Sequence, residues 1–564
     1  MSAAQPSGRD VLRDSVAGQR GRVALGTLCA CGHQIGEALV PALIGVVIDR
    51  AVTKSDTKML VLWLAVLAAV YAALALSFRI GAWSGELAAV RAEHRLRVSL
   101  VSRVLDPGGG AEKGRLPGAL ANIATEDAKR VGAVNMALTL GISSLVGIAT
   151  CAVILLRTSV TLGLVVLLGT PVLLWLGQLL SKPLESRSEA EQERAAHASA
   201  IAADLVTGLR ILKGIGGEST AIERYRGTSR DSLRATLRAA RAQAFQSGMV
   251  LALTGCLIAA VALVGGRLAA QGSISLGQLV SAVGLALFLL GPLEVLAWVN
   301  AELAQGRASA TRIAEVLATA PAVTAGGRPL PQPVRGAIRL NGLSHGGLRG
   351  LDLDIAPGEL LGVVATDPAH AADLLRCLSR QADPETGSVE LDGVSLRDLD
   401  PAEIRTAILV AEHDADLFEG TVLGNVTAAA PESSTPEPAM TAAGVTQVCE
   451  TLPDGEHTAV SERGRSLSGG QRQRVALARA LAADRPVLVI HDPTTAVDTV
   501  TEAGIASGIR EIRKGRTTVL LTTSPALLSV TSRVLLIDGG RAVDTAPHAD
   551  LVRRHEIYRS AVLA

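Results

Sequence analysis

The first 300 positions of this 564-residue chain hold six apolar stretches, at 23–48, 60–83, 135–157, 160–181, 249–270 and 276–299. Each is near the roughly 20 residues that a helix needs to cross a hydrocarbon core, where every backbone N–H and C=O must find its partner inside the segment. That requirement predicts six membrane-spanning helices. Beyond them the apolar runs shorten to strand length, so the chain reads as a membrane domain followed by a soluble one. The mean hydropathy of +0.35, high for a soluble protein, comes from the first part.

The spacing between the stretches is uneven. A short loop joins the first two, but 84–134 and 182–248 are long, charged and rich in Ala, Arg, Glu and Leu, which predicts helical arms continuing outside the bilayer. Both arms are Arg-rich, as is the polar tail 1–22 with Arg9, Arg13, Arg20 and Arg22. Positive residues favour the cytosolic side, so arms and termini are expected there, with the first span acting as its own insertion signal. A net charge of +1 gives no basic field for nucleic acid.

Three polar residues interrupt the spans: His33 and Glu37 in the first, Glu294 in the last. Ionisable groups at membrane depth are costly and mark substrate paths by default. The plainer alternative is a hydrogen bond between helices. The six cysteines lack zinc-ligand spacing and read as small core or lipid-facing residues.

The stretch 318–336 is rich in Pro, Gly and Ala and reads as a linker. After it, 358–365 (GELLGVVA), 487–490 (VLVI), 517–521 and 534–537 are apolar runs of buried-strand length, the first followed by a turn and a helix. Such a domain places nucleotides at strand-to-helix turns. The most specific motif is LSGGQRQRVALARAL, starting at Leu467. Ser468, Gly469 and Gly470 would present a hydroxyl and backbone N–H groups at a helix start, where the macrodipole favours phosphate.

With this motif the chain resembles the ATP-binding-cassette exporters over nearly its whole length. The TAVSERG segment at 458–464 is similar to the stretch before the family's signature, and DPTTAVD at 492–498 to the end of Walker B and the D-loop, with Ala496 and Asp498 in the latter. In the membrane part, GALANIATED (118–127), GLRILKGIGGE (208–218) and ASATRIAEVL (308–317) resemble the two arms and the exit from the sixth span. The resemblance implies an all-α six-span transmembrane domain at 23–317, then, after the linker, an α/β nucleotide-binding domain at 337–564, the type IV exporter fold.

The departures are specific. A phosphate loop needs a Gly-rich turn, a Lys for the β/γ-phosphates and a Ser or Thr for Mg²⁺. The matching stretch is Ala365-Thr366-Asp367-Pro368-Ala369-His370-Ala371-Ala372-Asp373, with Ala371 at the lysine position and Ala372 and Asp373 where hydroxyls belong. No Gly-Lys dipeptide occurs in the chain. His491 stands at the Walker B aspartate and Asp492 at the catalytic glutamate. His413, followed by Asp414, stands at the Q-loop glutamine, and Thr523 at the switch histidine. No Tyr or Phe falls near 345–347 to stack on adenine. His370, His413 and His491 would all line the vacated pocket, yet scattered substitution at an unused site accounts for them, and no metal site is expected.

In the family, two cassettes meet head to tail, each ATP lying between one chain's phosphate loop and the other's signature. The expectation is therefore a subunit of a heterodimeric exporter in the cell membrane, with an inactive site of its own. A second half-transporter with intact Walker A and B holds ATP and Mg²⁺, while this chain contributes Ser468, Gly469, Gly470 and Gln471 in trans. The resemblance implies alternating access for a small molecule, peptide or lipid. A siderophore-type importer of the same fold and a non-transporting membrane scaffold are the alternatives.

Overall fold

The computed structural model describes residues 6–413 and 416–563, with the side chains of 180–185 also left aside; Asp414 thus lies outside the described residues. The chain divides into two compact units. One comprises Met1–Val101 and Pro117–Ala318, the other Ser102–Leu116 and Thr319–Ala564.

The first unit is helical throughout. Helix α1 (Gly8–Ala17) begins at Ser7, whose hydroxyl and Asp10 form a reciprocal cap. Then come α2 (Arg20–Val47), α3 (Thr57–Val104), α4 (Pro117–Thr158, with a π-helical turn at Ile123–Asp127), α5 (Val160–Thr207), α6 (Glu218–Ala270) and α7 (Leu276–Leu317). The expected arms are for the most part these same helices, running on beyond their apolar portions, but 105–116 within the first expected arm is not helical. Five of the described helices are long and apolar enough to cross a membrane: α3, α4, the Val160–Leu179 part of α5, α6 and α7. Helix α2, the first expected span, is a 28-residue helix outside that group, with His33, Gln34 and Glu37 at its middle.

Small residues let α2 and α7 approach. A Cβ on Gly45 would meet the Ser281 hydroxyl at 2.0 Å, and one on Gly277 would meet the Gly45 carbonyl at 2.1 Å. The Asp49 carboxylate accepts the Gly277 N–H at 2.9 Å and the Ser275 hydroxyl, which ties the end of α2 to the start of α7. At the other end of α7, Asp127 is 2% exposed and accepts hydrogen bonds from Ser309 Oγ and Arg312 Nε, both at 2.8 Å. The His33 side chain lies between α2 and α3. Its Nδ1 lies 3.1 Å from the Leu74 carbonyl, its ring 5.1 Å from that of Phe78, and its Nε2 3.6 Å from Glu37. Glu294 is exposed on α7.

The second unit is built on β-sheets. Strands β1 (Ile338–His345), β2 (Leu348–Ile355), β4 (Thr386–Leu391) and β5 (Val394–Ser395) form an antiparallel sheet in the order β2-β1-β4-β5. The larger sheet runs β12-β11-β3-β10-β9-β6, from β3 (Leu360–Ala365), β6 (Ile408–Ala411), β9 (Val487–His491), β10 (Thr517–Leu521), β11 (Arg533–Asp538) and β12 (Arg541–Ala546). A short pair, β7 (Gly420–Thr421) and β8 (Ala459–Val460), completes the count. All pairs in the large sheet are parallel except β11 with β12. The four apolar runs of the sequence are β3, β9, β10 and β11. Buried Leu361, Val363, Val489, Val519 and Ile537 pack there against Leu374, Leu375 and Leu378 of helix α8 (Pro368–Leu378). Cys377 lies in that core, where burial pushes its thiol up to about 12.

The residues around 318–336 are bound to this unit rather than loosely tethered. Arg328 N–H donates to the Asp398 carbonyl, Val323 N–H to that of Gly108, and the buried Arg380 guanidinium to those of Thr324 and Arg397.

Asp127 and Arg312 give a test of the helical unit. Asp127→Ala leaves Arg312 without its carboxylate and Ser309 without its acceptor. Because the Arg312 side chain is half exposed (48%), the expected loss is about 2 kcal/mol rather than the larger cost of breaking a fully buried pair. Thermal unfolding in detergent should show a clearly lower midpoint, and an unchanged midpoint would mean that this pair does not hold α4 to α7.

Candidate functional site

In a parallel sheet the loops after the strands emerge along one edge, which makes that edge the natural place for a site. Here the loops after β3, β6 and β10 and the last residue of β9 bring Thr366, His413, Thr523 and His491 to the same edge.

The turn after β3 is short. Strand β3 ends at Ala365 and helix α8 starts at Pro368, leaving Thr366 and Asp367 between them. The local sequence explains the early start. Asp367 is extended and caps the helix by accepting the Ala369 N–H at 2.8 Å, and Pro368 occupies the first helical position, where its missing N–H costs nothing. Thr366 is held by a hydrogen bond from its hydroxyl to Asp538 at 2.7 Å.

This start sets the direction of every residue that follows. Ala371 is buried in the core at 7% exposure. Asp373 accepts the Gly347 N–H at 2.8 Å, and the His370 ring fills the space over Gly347, where a Cβ would meet it at 2.5 Å. The β1–β2 turn is thereby drawn onto α8, and Gly346 in it has a left-handed φ of 57°.

A triphosphate needs a loop of successive N–H groups and a lysine. Pro368 has no N–H, the Ala369 N–H serves Asp367, and the His370 N–H donates to the Asp367 carbonyl at 3.0 Å. Two carboxylates, Asp367 at the helix start and Asp373 further along α8, add negative charge to this segment. These residues do not fit a nucleotide held in the phosphate-loop manner.

The residues expected at the Mg²⁺ position lie at the end of β9. His491 ends β9, and Asp492 follows with a left-handed φ of 42° and its N–H bonded to the Leu521 carbonyl. His413 Nδ1 lies 3.2 Å from the Asp492 carbonyl; since a carbonyl only accepts, Nδ1 carries the proton. The His413 and His491 rings are 6.0 Å apart, and His491 Nε2 is 3.7 Å from Asp492. Mg²⁺ prefers hard oxygen ligands, and imidazoles stand here instead. His370 is not part of this pair, and among the described residues no three His, Cys, Asp or Glu side chains form a metal-ligand group. Thr523 is exposed just past β10.

The signature region has a different character. Ser468 caps helix α9 (Gly469–Ala482) in a reciprocal arrangement: its hydroxyl accepts the Gln471 N–H, and the Gln471 side-chain Oε1 accepts the Ser468 N–H at 2.9 Å. Ser468 and Gly469 are exposed, so the positive end of a 14-residue helix faces solvent. After β9, Asp498 caps helix α10 (Thr499–Ile512), and hydrogen bonds from Thr501 hold its carboxyl below the usual range. Gln473, not singled out in the sequence, joins these two regions: its amide donates to Thr495 Oγ1 at 2.6 Å and accepts from the Ala496 N–H at 2.9 Å. Its position two residues past the signature was the available signal.

Comparison with known proteins places both units. Residues 23–293 match the family model for the ABC transporter transmembrane region, and residues 348–495 match the model for the ABC transporter domain. The chain is 32% identical over 548 residues to the multidrug efflux ATP-binding/permease protein Rv0194 of Mycobacterium tuberculosis, with 95% of this chain aligned to 45% of that protein. It thus spans about half the length of that relative. It is 29% identical over 407 residues to the ATP-dependent lipid A-core flippase of Thiobacillus denitrificans, covering 70% of each, and 27% identical over 414 residues to a flippase of the same name from Chromobacterium violaceum. With a helical membrane region and a cassette of this kind on one polypeptide, the chain belongs to the ATP-binding-cassette transporters and has their exporter fold.

Proposed function

We propose that this chain is one half of a heterodimeric membrane exporter, and that its part in ATP use is to complete the partner's site. The observation that carries this reading is the contrast between two helix starts. The start of α8 is closed by its own Asp367 and Pro368. The start of α9 keeps Ser468, Gly469, Gly470 and Gln471 exposed or half-exposed and capped. A helix N-terminus with a free approach attracts phosphate, while one already facing its own carboxylate does not.

In this reading the partner is a half-transporter with intact Walker A and B, whose residues hold ATP and Mg²⁺. This chain supplies the facing signature and, through Ala496 and Asp498, the D-loop. The length of the mycobacterial relative supports a paired arrangement, since this chain accounts for 45% of it and a second half of similar size would fit in the remainder. The cargo class that the relatives' names favour is an apolar or amphipathic small molecule or a lipid. The complex would sit in the cell membrane with the cassette, arms and termini on the cytosolic side, as the Arg-rich tail and arms favour.

The chain purified alone should turn over ATP no faster than a blank, and the complex with its partner should do so readily. Robust hydrolysis by a verified homodimer would overturn the proposal. In the complex, Ser468→Arg places bulk and positive charge against the partner's γ-phosphate position, and the expected fall in kcat is about a hundredfold or more, the size seen when a transition-state donor is lost. An unchanged rate would count against a role in trans.

The matching substitution on the other side is expected to restore nothing. Ala371→Lys sends an ammonium group toward the core formed with Leu374 and Leu375, so it should lower stability by about 2 kcal/mol without bringing back nucleotide binding. Saturable binding of a fluorescent ATP analogue by this single variant would show that the pocket had needed only its lysine.

A further inference from the structure

The signature turn and the D-loop are separate in sequence, and one side chain ties them together. Gln473 lies one turn into α9. It makes two hydrogen bonds with one amide: Nε2 donates to Thr495 Oγ1, and Oε1 accepts the Ala496 N–H. The backbones are also close on that side. The Ala496 carbonyl oxygen lies 2.5 Å from where a Cβ on Gly470 would stand, and the Ala496 Cβ 3.5 Å from one on Gly469. The D-loop therefore rests on the first turn of the signature helix, and a side chain at Gly470 would push it away.

The ends of the D-loop have their own anchors. Thr494 is buried and donates from its hydroxyl to Glu502 at 2.6 Å, and Asp498 accepts the Thr501 N–H at 3.0 Å. Both anchors lead into α10. Thr495 and Ala496, between them, are exposed. Burial does not fix these two residues, and the Gln473 amide does.

We infer that Gln473 is a positioning residue: it holds Thr495 and Ala496 against the signature turn, so that 468–471 and the D-loop meet a partner cassette as one preset surface. The inference rests on the proposed trans role for its consequence in hydrolysis, but not for the anchoring itself. An isosteric Leu removes both hydrogen bonds. A Glu keeps the acceptor for the Ala496 N–H and lets the Thr495 hydroxyl turn to donate, so it preserves the clamp without the amide.

Hydrogen exchange of the full-length chain in nanodiscs tests the anchoring directly. In Gln473→Leu, the amides of 495–497 should exchange about fivefold faster, the change expected for losing one ordinary hydrogen bond. Protection of α9 and α10 should stay as in the wild type, and Gln473→Glu should return the loop toward wild-type exchange. Unchanged exchange in the Leu variant, or loss of protection throughout the cassette, would overturn the inference. In the complex purified through a tag on this chain, Gln473→Leu should lower kcat several-fold at unchanged KM for ATP, with recovery in Gln473→Glu. Faster loop exchange with unaltered kcat would leave the clamp standing and overturn its role in the partner's hydrolysis, which separates the two claims.

Discussion

The hydrogen bond from the Ala369 N–H to the Asp367 carboxylate is the constraint on which the cassette's character depends. With Pro368 beside it, this cap starts α8 two residues after β3 and leaves no length for a loop around an anion. The rest follows from helical geometry. Starting the helix there turns Ala371 inward to the core and carries His370 and Asp373 to the β1–β2 turn, where they pack on and hydrogen-bond Gly347. The backbone and the neighbouring side chains are arranged for this set of contacts.

The sheet behind this turn is regular. Its strands pair in regular parallel register from β11 to β6, and the buried valines and leucines of β3, β9 and β10 hold the core. At its loop edge His413, His491 and Asp492 meet. The surface made by α9 and the D-loop keeps its caps and its glycine contacts. One face of the cassette is thus closed by internal bonds while the other remains open, and both rest on the same core.

Much of this was legible in the sequence. The apolar runs at 487–490, 517–521 and 534–537 are strands because a buried parallel sheet admits long apolar stretches, and the long charged segments are mostly helical as their composition predicts, with 105–116 the main exception. The Asp-Pro pair signals a helix start on its own chemistry. What the sequence did not carry were contacts between distant elements. The sequence offers His33 as a substrate-path residue or a helix–helix bond, and it does not locate the Leu74 carbonyl that lies beside the ring. The packing of His370 on Gly347 depends on the β1–β2 hairpin, which periodicity does not locate relative to α8. Gln473 was passed over because a polar residue in an Arg-rich helix looks like a solvated one. The first expected span carries His33 and Glu37 at its centre, and α2 stands outside the group of five apolar helices among the described residues.

The central claim is an asymmetry between two cassettes, and covalent labelling measures it most directly. The complex would be incubated with Mg²⁺, vanadate and a photoreactive azido-ATP under turnover, then irradiated, and the two chains separated. The account predicts that the trapped label is found on the partner and that Ser468→Arg in this chain abolishes it there. Equal vanadate-dependent labelling of this chain, persisting when the partner's own Walker A lysine is removed, would contradict it.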